Sequence, residues 1–394
     1  MPGPLDGYRI VELATMVSGP LATLLLGDQG ADVIKVEQPG MGDLMRHLGP
    51  KRGGMTAIWT TANRNKRSIA LNLKSEGGQK VFRELIAEAD VFLQNFRPGA
   101  MERMGFGYDA LKQIRPDLVY VSISGFGESG PYSQKRVYDP IIQALSGLAA
   151  IQADRGTTRP KMVRTIVPDK ITAMTAAQSI TAALLERAKS GEGQHIRLAM
   201  LDAALSFIWP EGMVTKTFRG GDIAEPKPGS TSDLVYETAD GYVTASTMSD
   251  SEWEGMAKAT GHLEWLQDER YKTPGGRVAN SDARLGMVGE VLRTDTSDAW
   301  IEKLEREDVP CAKILTRDEV VEDAQVLHNE MLVEDEHPVA GPIRYARPAA
   351  RFGRTPAEVR SPAPTLGEHT DDILGELGYA GDAISTLRDG GAVA

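Results

Sequence analysis

The chain has 394 residues, 41% of them hydrophobic and 25% charged, with a net charge of −11 and a single cysteine. This is globular composition, long enough for about two domains. No run nears the roughly 18 apolar residues of a membrane span, and no basic cluster follows a nucleic-acid backbone, so neither membrane nor nucleic acid is an expected partner. Cys311 cannot pair within the chain, which fits a reducing compartment. The opening MPGPLDGYRIVELA lacks a basic region followed by an apolar core. No signal peptide is therefore expected, and the expected location is the cytoplasm.

The N-terminal half alternates strand and helix signals. Arg9–Leu13 reads as a buried strand, Gly19–Gly27 as a short apolar helix and Asp32–Glu37 as a second strand. Gly77–Ala89 carries Val81, Phe82, Leu85 and Ile86 at helical spacing, and a strand, Asp90–Phe96, follows. Tyr108–Ile114 reads as helix and Leu118–Ser124 as a β-branched strand. Ile171–Lys189 is a helix rich in Ala, Thr and Ser, able to pack close to a neighbour, with the strand His195–Met200 beyond it. This alternation argues for an α/β fold with a mainly parallel sheet covered on both faces. Beyond Phe218, Arg219–Ser230 reads as a Gly/Pro-rich linker, and Leu234–Thr238 and Tyr242–Ser246 flank Ala239-Asp240-Gly241 as a hairpin. Amphipathic helices follow near 251–260, 283–293 and 297–305. The expected organisation is a large domain over 1–218, a smaller α+β domain over 225–330 and a C-terminal return segment over 331–394. In that segment His337–Ser361 reads as extended, and Thr370–Leu377 as a helix capped by Thr370 with Asp371 and Asp372 in its first turn.

Gly125-Phe-Gly127-Glu-Ser-Gly130 matches G-x-G-x-x-G after a strand, but Pro131 follows at once and no regular helix opens. The glycines read as loop residues rather than a dinucleotide cradle. Glu37 stands where a ribose-binding carboxylate would, yet the preceding turn, ATMVSGP, lacks the required glycines. There is no G-x-x-x-x-G-K-[ST] loop and no G-x-S-x-G elbow, and six scattered histidines offer no metal-ligand spacing. Neither a metal nor a nucleotide cofactor is expected. Asp169, in Thr165-Ile-Val-Pro-Asp-Lys170, directly precedes the long small-residue helix. Aspartate there is ordinarily an N-cap. A carboxylate kept ionised by a helix dipole is also suited to be a nucleophile. Arg97 and Arg103 are placed either to grip phosphates at the sheet's carboxyl edge or to stand solvated, and Asn63-Arg-Asn-Lys66-Arg67-Ser68 carries the same two readings.

Taken in order, eight segments carry a family resemblance. They are PLDGYRIVEL (4–13), GADVIKVEQPGMGD (30–43), NRNKRSIALNLK (63–74), NFRPGAMERMGFGY (95–108), SGFGESGPY (124–132), VPDK (167–170), SGEGQHIRLAMLDAAL (190–205) and PAPTLGEHTDDILGELGY (362–379). Together they resemble the class III CoA-transferase family of the CaiB/BaiF type, which includes formyl-CoA transferase and carnitine CoA-transferase. The resemblance implies a Rossmann-like large domain built from both chain ends, a smaller middle domain, and an interlocked homodimer. It implies that Asp169 is the nucleophile, taking an acyl group from a CoA thioester as a mixed anhydride and then CoA as an aspartyl-CoA thioester. A second carboxylic acid finally receives the CoA. Coenzyme A, carried as acyl-CoA, is then a substrate. Its contacts are implied at Val17, Ser18, Gln38, Leu71, Asn72, Leu73, Lys74, Asn95, Phe96, Arg97, Arg103, Arg136, Val137, Tyr138 and Asp139, with Arg103 and Arg136 on the phosphates.

Two departures bear on substrate. Gln38 and Val17 replace an arginine and a glutamine of the formyl-CoA enzyme, and that enzyme's glycine-rich loop is approached only by Gly220-Gly221. An acid larger or less polar than oxalate is expected. The same fold houses α-methylacyl-CoA racemases, whose basic histidine is replaced here by Tyr138, and a tyrosine is a poor base at neutral pH. A CoA-binding protein without catalysis is the third reading, which an intact Asp169 disfavours.

Overall fold

In the computed structural model, which describes residues 2–153, 159–220 and 234–394, six strands form one parallel sheet. They are β1 (Arg9–Leu13), β2 (Asp32–Glu37), β3 (Lys66–Ala70), β4 (Val91–Gln94), β5 (Val119–Ser124) and β6 (His195–Ala199), in the order β3-β2-β1-β4-β5-β6. Every neighbouring pair is parallel. Parallel neighbours need crossovers. The chain makes them with α1 (Ser18–Asp28), α2 (Glu76–Ala87), α3 (Tyr108–Ile114), α4 (Asp139–Leu145) and the long α5 (Val167–Ser190), while α6 (Met200–Gly212) follows β6.

Side chains alternate between the two faces of each strand. Ile10, Val33, Val91, Leu93, Val119 and Val121 join one buried cluster with Ala173, Ala176, Ala177 and Ile180 of α5. Val11, Ile34, Val36, Phe92 and Tyr120 join the opposite cluster with Val81, Phe82, Leu85 and Ile86 of α2. The small residues of α5 let α1 pack closely against it. Gly19 of α1 has no room for a side chain, since a Cβ there would lie 2.4 Å from that of Ala14.

The chain divides into two compact units, one of residues 1–148, 162–214 and 329–394, the other of 149–161 and 215–328. In the first, the C-terminal segment closes the free edge of β3. Asn72 N–H donates to Ala392 O at 2.8 Å, Ala394 N–H donates to Ala70 O at 3.2 Å, and Leu71 bridges Val393. Thr370 is the first residue of the helix Thr370–Glu376 and not its cap. Its hydroxyl instead accepts the Ala70 N–H at 3.2 Å. The tail read as extended from His337 is in part a hairpin, Leu332–His337 paired antiparallel with Gly341–Ala346.

The second unit has its own core. Val235–Glu237, Tyr242–Ala245 and Cys311–Lys313 form an antiparallel sheet, with the turn at Ala239-Asp240-Gly241 as expected. Trp253, Trp265, Tyr271, Trp300 and Leu304 pack together with it. Residues 149–161, read with the large domain, belong to this unit. The linker reading at Arg219–Ser230 falls, beyond Gly220, outside the described residues.

Candidate active site

α5 begins at Val167 with Pro168 in its first turn, where a missing N–H is no loss. Asp169 is therefore inside the helix and not its cap; the cap position is Ile166, which supplies no side-chain hydrogen bond. The unsatisfied N–H of Asp169 is taken by Oδ2 of Asp139 at 3.2 Å, while Asp139 Oδ1 accepts from Gln143 Nε2 at 2.6 Å. Gln143 is held in turn on the Val163 backbone, accepting its N–H at 2.9 Å and donating to its C=O at 3.2 Å. The Ser18 N–H, at the start of α1, donates to the Asp169 carboxyl. Burial, and then the Asp139 charge, raise that carboxyl to about 6, with the Ser18 N–H pulling the other way. Burial thus sets the direction of the shift, against the pull of the helix terminus. At pH 7 such a group is still about nine-tenths ionised.

What aims Ser18 is the loop between β1 and α1. Met16 sits at φ 66, a conformation that costs a non-glycine residue about 1 kcal/mol or more. It persists because its neighbours are tied down. Asn95 pairs with both backbone groups of Thr15, at 2.9 and 2.7 Å, and Met16 N–H donates to Asp43 Oδ1 at 3.0 Å. Below the loop lies a fully buried ionic network. Lys35 meets Glu12, donates to Ala14 O at 2.8 Å and pairs with Asp43 at 3.0 Å. Lys66 donates to Glu12 at 2.8 Å, Pro20 O at 2.7 Å and Asn63 Oδ1 at 2.8 Å. Burial acts to raise the Glu12 carboxyl, but Lys35 and Lys66 overcome it and hold it at about 2. Sequence reasoning missed this network. Its signal is a charge set directly between apolar residues of a strand, Glu12 between Val11 and Leu13 and Lys35 between Ile34 and Val36.

Gln38, Leu71, Asn72, Leu73, Lys74 and Phe96 line a single cleft of about 550 Å³ at the carboxyl ends of β1, β2 and β3. Ligands of open parallel sheets collect at such edges, where the strand order reverses, here between β1 and β4. Asn95 reaches this cleft through its grip on Thr15, which also lines it. Arg97 lines a smaller cleft of about 220 Å³ that shares Phe96. Val17 and Ser18 are buried at the start of α1. Arg103 and Arg136 are exposed and line neither cleft. Val137 packs so tightly on Gly125 that a Cβ there would lie 2.6 Å from it, and Gly127 and Gly130 sit at φ 95 and 90, so the glycines of this motif shape a loop.

Three readings meet side chains whose partners lie within the protein. Asp139, read as a CoA contact, is 3% exposed and spends both oxygens inside the protein. The basic run 63–68 is not a phosphate grip, since Arg64 pairs with Asp28, Lys66 with Glu12 and Arg67 with Asp32. Glu37, at the ribose position, is buried and committed to Arg46, Ser68 and the Asp43 N–H.

The family model for CoA-transferase family III matches residues 5–370. The human protein named succinyl-CoA:glutarate CoA-transferase is 34% identical over 99% of this chain and 90% of its own length. The formyl-CoA:oxalate CoA-transferase of Shigella sonnei is 32% identical over 100% of both chains. The crystal structure of a CAIB/BAIF family protein from Brucella suis aligns with a TM-score of 0.82 at 32% identity, covering 96% of this chain and 100% of that one. The chain thus belongs to CoA-transferase family III, and the enzyme is a class III CoA-transferase.

Proposed function

We propose that the protein moves CoA from an acyl-CoA thioester to a free carboxylic acid through covalent intermediates on Asp169. The observation that carries this is a half-buried carboxyl in the first turn of α5, with the buried Asp139 side chain on its backbone N–H and the Ser18 N–H beside it. A carboxylate oxygen of Asp169 adds to the thioester carbonyl, the C–S bond breaks, and CoA leaves as its thiolate, giving a mixed anhydride. The thiolate then attacks Asp169 Cγ, releasing the donor acid as carboxylate and leaving aspartyl-CoA. The acceptor carboxylate displaces the thiolate to form a second anhydride. Thiolate attack on the acceptor's carbonyl frees both the product thioester and the Asp169 carboxylate. One thioester is broken for each one made, so no ATP and no net proton are needed. Near-neutral basicity suits the role, because the group must attack as an anion and later depart as one. The Ser18 N–H is available to stabilise oxygen charge developing at Asp169.

In this reading CoA lies along the 550 Å³ cleft on Gln38, Leu71–Lys74 and Asn95–Arg97, with Arg103 and Arg136 on its phosphates and Val17, Ser18, Val137 and Tyr138 towards the acyl end. No metal, nucleotide cofactor or nucleic acid takes part. The strand order supports a Rossmann-like large domain. Met174, Leu185 and Phe207, 60 to 64% exposed on α5 and α6, support a homodimer, interlocked as in the family. Among the described residues no helix is long and apolar enough to cross a membrane, and the cytoplasm is the proposed location.

The test is mass spectrometry after incubation with acyl-CoAs and free acids in deuterated buffer. Succinyl-CoA with glutarate, the pair named for the human relative, comes first, then formyl-CoA with oxalate. A hydroxylamine-sensitive adduct on the peptide containing Asp169, with CoA passing to the added acid, is the expected result. Deuterium at the acyl α-carbon without an adduct overturns the reading in favour of racemisation.

A further inference from the structure

Asp139 has no part in the chemistry just described, yet it is the charged side chain closest to it in function. It is 3% exposed, its Oδ2 accepts the Asp169 N–H at 3.2 Å, and its Oδ1 is clamped by Gln143 at 2.6 Å. Both oxygens accept, one from the Asp169 N–H and one from the Gln143 amide, so a side chain with a single oxygen could serve only one of them, and burying two carboxylates near one another is unfavourable. We propose that Asp139 is a positioning residue that fixes the first turn of α5 and sets a second negative charge against the resting Asp169 carboxylate. This inference rests on Asp169 being the nucleophile.

The consequence follows from counting charge. At rest the Asp139 side chain lies against the Asp169 backbone, near enough for its charge to raise the Asp169 carboxyl. In the anhydride and in aspartyl-CoA, Asp169 is neutral and the repulsion is gone. Asp139 therefore destabilises the free carboxylate relative to each covalent intermediate. The other groups that face Asp169 are few. From α1 comes the Ser18 N–H, and from α4 the Asp139 carboxylate. On α5 itself the Lys170 ammonium is turned to the Thr165 hydroxyl at 2.9 Å. No charged side chain of β5, β6 or α6 is among the groups that shift Asp169.

Asp139→Asn keeps an oxygen for the Asp169 N–H, removes the charge and gives up the acceptor that holds the Gln143 amide. The acid limb of its kcat profile should move down by about one pH unit, and the fraction of enzyme trapped as aspartyl-CoA should fall about tenfold. A purely structural role would lower activity at every pH and leave the limb in place. A folded Asp139→Asn enzyme with unchanged limb and unchanged adduct fraction, while Asp169 still forms the adduct, overturns this inference alone. Transfer surviving in Asp169→Ala overturns the nucleophile reading as well. Should Asp139→Asn fail to fold, Asp139→Ser takes its place, with the Asp169 carboxyl followed by carbon-13 titration beside the unmodified protein. A lower midpoint in the variant supports the proposal, and an equal midpoint overturns it.

Discussion

The buried floor beneath the β1–α1 loop and the exposed arginines on the rim use the same kinds of side chain for opposite ends. On the floor, Lys35 and Lys66 are fully buried, and Glu12, Asp43, Asn63 and backbone carbonyls absorb their charge. On the rim, Arg97, Arg103 and Arg136 stand exposed. A buried cation with every donor occupied fixes geometry and has nothing left for a ligand. An exposed guanidinium fixes little and keeps its fork free. The difference shows why basic residues in a binding fold must be sorted by partner before any is assigned to phosphate.

Substitutions at the floor, at the rim and at Asp169 differ in expected cost. The largest effect is expected between the two regions: Asp169→Ala should lower transfer by about a thousandfold or more while CoA still binds, measured by turnover and calorimetry. Next, Lys66→Met on the floor should cost about 3–5 kcal/mol of stability in denaturant titration, because it leaves Glu12 short of one of its two buried cations. An effect below 1 kcal/mol would mean that the floor is not structural. Acid sharpens the same point. Glu12 is held at about 2 in the folded state against an ordinary 4.5, so its contribution is complete above about 4.5 and is lost as pH falls towards 2. Stability should therefore decline through that window, and less steeply in Glu12→Gln. The smallest effect belongs to the rim. Arg103→Ala should raise the KM for acyl-CoA about tenfold, with acid preference and melting temperature unchanged. A shift in acid selectivity would move Arg103 away from the phosphates.

Legibility followed the range of the interactions. β1, β2 and α3 were readable to the residue, because apolar alternation and helical spacing are local signals. β3 was not. Its KRSIA resembles a basic surface run, and only partners far along the chain, Glu12 for Lys66 and Asp32 and Glu376 for Arg67, make it a strand of the core sheet. Asp169 stood out as a residue but not in its environment. Pro168 moves the helix start back to Val167, so the carboxylate sits inside the first turn, and Asp139, thirty positions earlier, is brought to its backbone by the fold alone. Gly125-Phe-Gly127 was readable as loop because Pro131 forbade the helix that a phosphate cradle requires.

The closure of β3 by the C-terminal segment has a consequence for how the protein is made. His369 offers its ring to the Ser68 N–H across 301 residues of chain, and Glu376 meets Arg67 across 309. During synthesis the strand leaves the ribosome long before its cover exists, so the nascent sheet carries an open edge and an arginine with only Asp32 of its two carboxylate partners throughout that interval. Contacts of such long range form slowly, and open edges invite pairing with other chains. Completion of the active-site sheet is thus tied to the arrival of residues that never touch the reaction. A chain stalled before residue 368 should be caught by chaperones or aggregate, even though every strand of the catalytic sheet is already present.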